Sequence, residues 1–266
     1  MIKQIPNIIT SLNLLCGAVA ALFAASGDLV TAAVFVFLGI FFDFFDGLAA
    51  RLLKAHSDVG LQFDSLADMI TSGLVPGIVM IQLLSRSLTG HYFSIGETFS
   101  NNAWNVSLDT YIPLLGLLIV VASGYRLAKF NVDTRQTTSF IGLPTPANTL
   151  LILSLGLILE LQSVSWASEL ILNPWFLGSM TLLSAVLLNA EIPLFALKFK
   201  TWGFRENAKR YLFLLFCLSG LILFKFIAIP LIIGVYILIS VLWKDREIAQ
   251  GPPLPNVRSG GDERPV

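Results

Sequence analysis

Eight runs of this chain, near residues 8–25, 29–52, 63–84, 111–130, 146–162, 172–190, 211–226 and 228–243, are apolar over lengths that approach the thickness of a bilayer. A membrane-crossing helix needs roughly 20 mostly apolar residues. Inside hydrocarbon every backbone N–H and C=O must be paired, which leaves helices and closed barrels as the only spanning structures. The alternating strands of a barrel are missing from the sequence, so the runs read as helices. Composition agrees: 55% of residues are hydrophobic and 13% charged, about half the charged share of a soluble domain. The expected fold is an all-α polytopic membrane protein, a helical bundle with a six-helix core plus two C-terminal helices and about eight transmembrane helices in all. Whether the last two runs, parted by Pro230, are separate helices stays open at this point.

Three regions are expected: a six-helix core over 1–190, a cytosolic basic loop and C-terminal helix pair over 191–243, and a disordered Pro/Gly-rich cytosolic tail over 244–266. Lys and Arg in the loops orient the chain. With the N-terminus in the cytosol, every basic residue but Arg86 and Lys225 falls inside. A net charge of zero makes nucleic acid an improbable partner. The polar Asn7, Thr10, Ser11 and Asn13 argue that the first run is a retained helix rather than a cleaved signal peptide. The Asn105-Val106-Ser107 sequon in the outer loop reads as a chance match. Cys16 and Cys217 each sit in an apolar run with no metal-type spacing and read as inert thiols.

Ionisable groups within membrane spans are costly and mark function. Asp43 and Asp46 lie near the end of the second run, Asp64 and Asp68 near the start of the third. Spacings of three and four put each pair on one helix face, and an antiparallel hairpin would bring all four together on the cytosolic side. Four acids in a low-dielectric cleft repel one another unless cations neutralise them. Hard divalent ions with oxygen ligands fit, Mg²⁺ or Mn²⁺, and two ions bridging a diphosphate would explain why four carboxylates are present. Structural ion pairing with Arg51 and Lys54, or an ion pathway through the bilayer, are the competing readings. Gly47 and Ala50 each follow an aspartate by four residues and clear helix surface beside it.

Together these residues spell D43-x2-D46-G47-x2-A50-R51-x8-G60-x3-D64-x3-D68. The pattern resembles the signature of the CDP-alcohol phosphatidyltransferase family at every fixed position. The resemblance implies that Asp43, Asp46, Asp64 and Asp68 bind two divalent metals over the diphosphate of a CDP-linked lipid. It further implies that Asp68 is the general base. Arg51 would neutralise a phosphate oxygen or anchor the chain at the cytosolic surface, and Ser57 and Gly60 would lie at the nucleotide.

Three more segments resemble the integral-membrane phosphatidylserine synthases of bacteria within that family. The first runs from Ile5 to Gly17, where Asn7 and Thr10 share a helix face and could hydrogen-bond the nucleotide, Asn7 serving alternatively to cap the helix. The second is Arg126-Leu127-Ala128-Lys129-Phe130-Asn131, with Lys129 where those enzymes carry a second arginine. Arg126 has the planar fork suited to a carboxylate or phosphate. The third is Phe140 to Ala147, whose Pro144 and Pro146 stiffen a loop that could shape an acceptor pocket. The resemblance implies transfer of phosphatidyl from CDP-diacylglycerol to L-serine with release of CMP. Its other implications are a homodimer among membrane lipids of the inner (cell) membrane and an active site facing the cytosol. Siblings using glycerol 3-phosphate or an inositol phosphate, and a divalent-cation transporter, are the alternatives.

Overall fold

The computed structural model describes residues 4–55, 57–94, 96, 108–132, 140–162, 164–194 and 203–242. The Asn105 sequon, the loop basic residues at 198 and 200, and the expected tail over 244–266 lie outside the described residues.

All eight apolar runs become helix. Helix α1 (Ile5–Ala25) turns through Gly27, at φ 86°, into α2 (Leu29–Leu52), and the two pack along their length. Asp28 starts α2 by accepting a hydrogen bond from Thr31 N at 3.0 Å, and that contact holds its carboxyl below the usual carboxylate range. The third pass begins with α3 (Asp58–Asp68), continues through a wide π-helical turn (Met69–Leu74), and ends as α4 (Val75–Thr89). It is longer at both ends than the run at 63–84, because Ser57 caps its start and left-handed Gly90 ends it.

A short α5 (Leu108–Tyr111) and a 3-10 turn lead into α6 (Leu117–Val132). Strand β1 (Phe140–Ile141) precedes α7 (Thr145–Leu157), which ends in a second π-helical turn at Gln162. Helices α8 (Ser165–Ile171) and α9 (Pro174–Asn189) meet at 66°. Asn173 caps α9 and Pro174 occupies its first turn, as helix N-termini favour. Strand β2 (Pro193–Leu194) pairs antiparallel with β1, a two-residue ladder that hydropathy alone could not reveal.

Among the described residues six segments are long and apolar enough to cross a membrane, seven if bent α8–α9 counts as one span, and the chain is an integral membrane protein. The last of them, Tyr211–Leu242, is folded on itself. Helix α10 (Phe204–Phe224) breaks at Lys225, φ 51°, and α11 (Ala228–Leu242) returns beside it. The Phe213 and Tyr236 rings lie 6.0 Å apart and Gly220 faces Ala228, so the last two runs form an antiparallel hairpin. Gln162 holds the bend, accepting from Ile227 N and donating to Phe224 O.

The main core is built from alanines of α1 and α2 with Val75, Met80, Leu83 and Leu84 of α4, Ile119 of α6 and Ile152 of α7. Small residues let helices approach closely. A Cβ on Gly116 would stand 2.6 Å from the Gly77 carbonyl oxygen. Large side chains such as Leu22, Phe41, Leu182 and Ile222 stay exposed, the outward surface that lipid covers. Cys16 and Cys217 are free thiols.

Candidate active site

The aspartates meet because α3 begins only six residues after α2 ends, which brings the last turns of α2 beside the first turns of α3. One carboxylate oxygen from each of Asp43, Asp46 and Asp64 can be chosen so that all three lie within 4.8 Å of one another. Asp43 also faces Asp68 side chain to side chain, so the fourth acid closes the group. The helical spacing read from the sequence therefore holds.

Helix α1 supports this cluster from below. Thr10 donates to Asp46 Oδ2 at 2.6 Å, and Asp46 is 5% exposed. Asn13 donates through Nδ2 to Asp68 Oδ1 at 3.2 Å, while its Oδ1 accepts from Thr71 at 2.8 Å. Asn13 and Thr71 are both fully buried, and neither was singled out as a site residue from sequence. The signal was present: Asn7, Thr10 and Asn13 fall three residues apart, a polar stripe along an apolar helix. Thr10, expected at the nucleotide, is committed to Asp46. Asn7 does not cap α1, because Gln4 occupies that position.

The small residues divide by function. Next to Gly47 an added Cβ would meet nothing within 4 Å, so the surface beside Asp43 and Asp46 is open. A Cβ on Gly60 would lie 3.0 Å from Ser57 Oγ and 3.2 Å from Asn7 Oδ1, so Gly60 lets α1 approach α3. Ser57 caps α3 through Gly60 N, and Ala50 sits half-buried one turn beyond Asp46. Arg51 is exposed and donates from Nε to the Gly47 carbonyl.

The donor set suits a hard divalent cation. It is all carboxylate oxygen. Asp64 Oδ1 is buried without a hydrogen-bond partner. Among the described residues the two ion pairs, Arg86 with Glu160 and Lys129 with Glu191, involve none of the four acids. Among the described residues Arg126 alone acts electrostatically on one of the four, Asp68, which leaves most of the cluster's charge to be met by a bound cation.

The basic segment at the end of the fourth run is helical throughout. Helix α6 continues to Val132, so Arg126 is an intramembrane residue, 8% exposed, with its Nε unpartnered. Asp68 is the acid whose charge acts on it. Arg126, Lys129, Ile141, Leu188, Asn189 and Ala190 line a small hollow. Lys129 is paired with Glu191 at 3.2 Å, and Asn131 is a strut to α3, donating to Ser65 Oγ at 2.9 Å. Pro144 stands at the N-cap of α7. Its loop is pinned by Gly142 N to Ile192 O and Leu143 N to Leu187 O. Gly142, φ 77°, lies so close to α9 that a Cβ would meet the Leu188 oxygen at 2.7 Å.

The family model for CDP-alcohol phosphatidyltransferase matches residues 3–187, from α1 into the last turn of α9. A CDP-diacylglycerol–serine O-phosphatidyltransferase of Bacillus subtilis is 35% identical over 148 residues, 54% of this chain and 70% of that protein. One of the same name from Helicobacter pylori is 28% identical over 240 residues, 89% of each. An archaetidylserine synthase of Methanothermobacter thermautotrophicus is 30% identical over 145 residues, 53% of each.

Proposed function

The chain belongs to the CDP-alcohol phosphatidyltransferase family, and from that premise we propose that it is a phosphatidylserine synthase. It transfers the phosphatidyl group of CDP-diacylglycerol to the hydroxyl of L-serine and releases CMP. The observation that carries the reading is the cluster of largely buried carboxylates, which makes no ion pair among the described residues and is open beside Gly47. The similar proteins named for serine transfer supply the acceptor.

Asp43, Asp46, Asp64 and Asp68 would hold two divalent cations, Mg²⁺ or Mn²⁺. Bound there, the ions would neutralise the diphosphate and stabilise the departing CMP. The remaining work falls to the chain. Thr10 keeps Asp46 turned inward, and Asn13 keeps Asp68 in place. Asp68 takes the proton of the serine hydroxyl as its oxygen attacks the phosphorus that carries the diacylglycerol oxygen. The bond from that phosphorus to the CMP oxygen breaks. Arg126 holds the serine carboxylate, and α7 with its Pro144 loop walls the pocket. Gly47 gives the nucleotide room.

The core over 1–190 would be the catalytic unit, with the α10–α11 hairpin added to it. The enzyme would sit in the inner (cell) membrane as a homodimer, the aspartates facing the cytosol and the lipid tails entering between helices. CMP release from CDP-diacylglycerol by the purified protein tests this. L-serine, glycerol 3-phosphate, inositol phosphate and no acceptor are compared side by side. Serine-dependent release with a phosphatidylserine product is expected, and release that depends on a different alcohol overturns the acceptor assignment.

A further inference from the structure

One turn deeper than Asp68, the bundle buries a layer of polar groups that have no partner. Ser72 Oγ, Ser123 Oγ, Arg126 Nε, both amide atoms of Asn148, and Asn189 Oδ1 are all sealed from solvent and unpaired. Ser72, Ser123 and Asn148 are at most 1% exposed. Outside this layer the described residues hold two further unpartnered buried atoms, Ser184 Oγ and Asp64 Oδ1. The buried hydroxyls of Ser154 and Thr181 each donate to a carbonyl three or four residues back, and those of Thr10 and Thr149 are likewise hydrogen-bonded, to Asp46 and to the Ser72 carbonyl. Those of Ser72 and Ser123, equally buried on helices, are not.

Three contacts place these groups in one layer. Ser72 follows Asp68 by one turn of the third pass. Its carbonyl accepts from Thr149, the residue after Asn148, at 2.9 Å. Its neighbour Gly73 is so close to α6 that a Cβ would meet Ser123 Cβ at 3.2 Å. Asn189 donates to the Ala122 carbonyl at 3.0 Å, which brings the end of α9 to the same level of α6. Arg126, one turn beyond Ser123, and Asn189 also line a small hollow at the edge of this layer.

An unpaired buried polar group costs about 1–3 kcal/mol, and a layer of them persists only if something pairs them. Its chemistry defines the occupant. Ser72 Oγ, Ser123 Oγ and the two amide oxygens are acceptors suited to an ammonium. Arg126 Nε and Asn148 Nδ2 are donors suited to a carboxylate. One guanidinium balances one carboxylate, whereas a phosphorylated alcohol would bring a second negative charge towards Asp68 with nothing to meet it.

We propose that Ser72, Ser123, Asn148 and Asn189, with Arg126, form a chamber that reads the ammonium and carboxylate of the amino-acid acceptor and presents its hydroxyl to Asp68. The proposal rests on the synthase reading above and assigns the selectivity for a free amino acid to residues beyond the metal-type motif.

The test measures KM for L-serine, KM for CDP-diacylglycerol, and Ki for L-alanine, which has the same two charged groups and no hydroxyl. These are compared in wild type, Ser123→Ala and Asn148→Ala, with thermal unfolding followed in each. Ser123→Ala removes a single oxygen and keeps the test valid should Asn148→Ala fold poorly. Each variant is expected to raise KM for L-serine about 10-fold, the worth of a hydrogen bond to a charged group. Ki for L-alanine is expected to rise in proportion and KM for CDP-diacylglycerol to stay within twofold. An unchanged KM and Ki in folded variants overturns the chamber, as does an equal rise in both substrates' KM. A wild-type enzyme whose CMP release ignores L-serine overturns the synthase reading, and the chamber's ligand with it. The two failures are therefore told apart by the wild-type control.

Discussion

Asn13 offers the sharpest test of how the acids are held. It is fully buried, donates to Asp68 Oδ1 at 3.2 Å and accepts from Thr71 at 2.8 Å. Asn13→Leu keeps the approximate shape and removes both contacts, whereas Asn13→Asp keeps the acceptor for Thr71 and removes the donor to Asp68. A hydrogen bond to a charged group is worth about 1.5–3 kcal/mol, and the long 3.2 Å contact belongs at the lower end. At 1.36 kcal/mol per factor of ten, kcat should fall about 10- to 30-fold in both variants. Stability should suffer little in Asn13→Leu, about 1 kcal/mol, because Thr71 retains the Asn13 backbone carbonyl at 3.2 Å as a second acceptor. The assay is steady-state CMP release with both substrates varied, alongside thermal unfolding in detergent. KM for CDP-diacylglycerol should stay close to wild type, since Asn13 acts through the base. A kcat within threefold of wild type in both variants refutes the claim that Asn13 positions Asp68.

Other perturbations separate packing from chemistry. Gly47→Ala should leave thermal unfolding unchanged, because the added methyl meets nothing within 4 Å, yet raise KM for CDP-diacylglycerol several-fold; an unchanged KM removes Gly47 from the nucleotide's path. Gly116→Ala drives a methyl to 2.6 Å from the Gly77 carbonyl and should destabilise the fold by about 1–3 kcal/mol or more, read as a lower unfolding temperature; wild-type unfolding refutes the close backbone contact. Asp68→Asn should abolish turnover while CDP-diacylglycerol still binds, measured by equilibrium binding of the labelled donor, and near-normal turnover displaces Asp68 as the base. EDTA should abolish CMP release and Mg²⁺ or Mn²⁺ restore it, whereas full activity in chelator contradicts a cation-dependent site.

Much of this was legible in the residues because it depends on period. Runs of apolar residues set the helices, and spacings of three and four set the faces on which Asp43, Asp46, Asp64 and Asp68 stand. What period does not carry is which glycine touches what. Gly47 and Gly116 look alike in sequence, yet one faces open space and the other a backbone oxygen. Nor does hydropathy distinguish a basic residue in a loop from one inside a helix end. Arg126 counts among the cytosolic charges although the apolar run to 130 extends past it, and α6 carries it inside a helix that ends at Val132. The residue thus becomes a buried guanidinium, a costly placement that its neighbours Asp68 and the hollow account for.

The π-helical turn at Met69–Leu74 explains why one segment serves two sites. In an unbroken α-helix the face carrying Asp64 and Asp68 would continue towards α2, and the residues beyond them would serve the same cleft. A π-helical turn holds more residues per turn, so the direction of every later side chain lags that of a regular helix. Thr71 then reaches Asn13 on α1, the Ser72 carbonyl is available to Thr149 on α7, and Gly73 lies flat against Ser123 on α6. Three helices are thereby gathered immediately below the acids, and the unpaired groups of the deeper layer are brought together by the same turn. Nothing in Met-Ile-Thr-Ser-Gly-Leu calls for a wide turn locally, so its place in the chain is read from those three contacts rather than from the sequence.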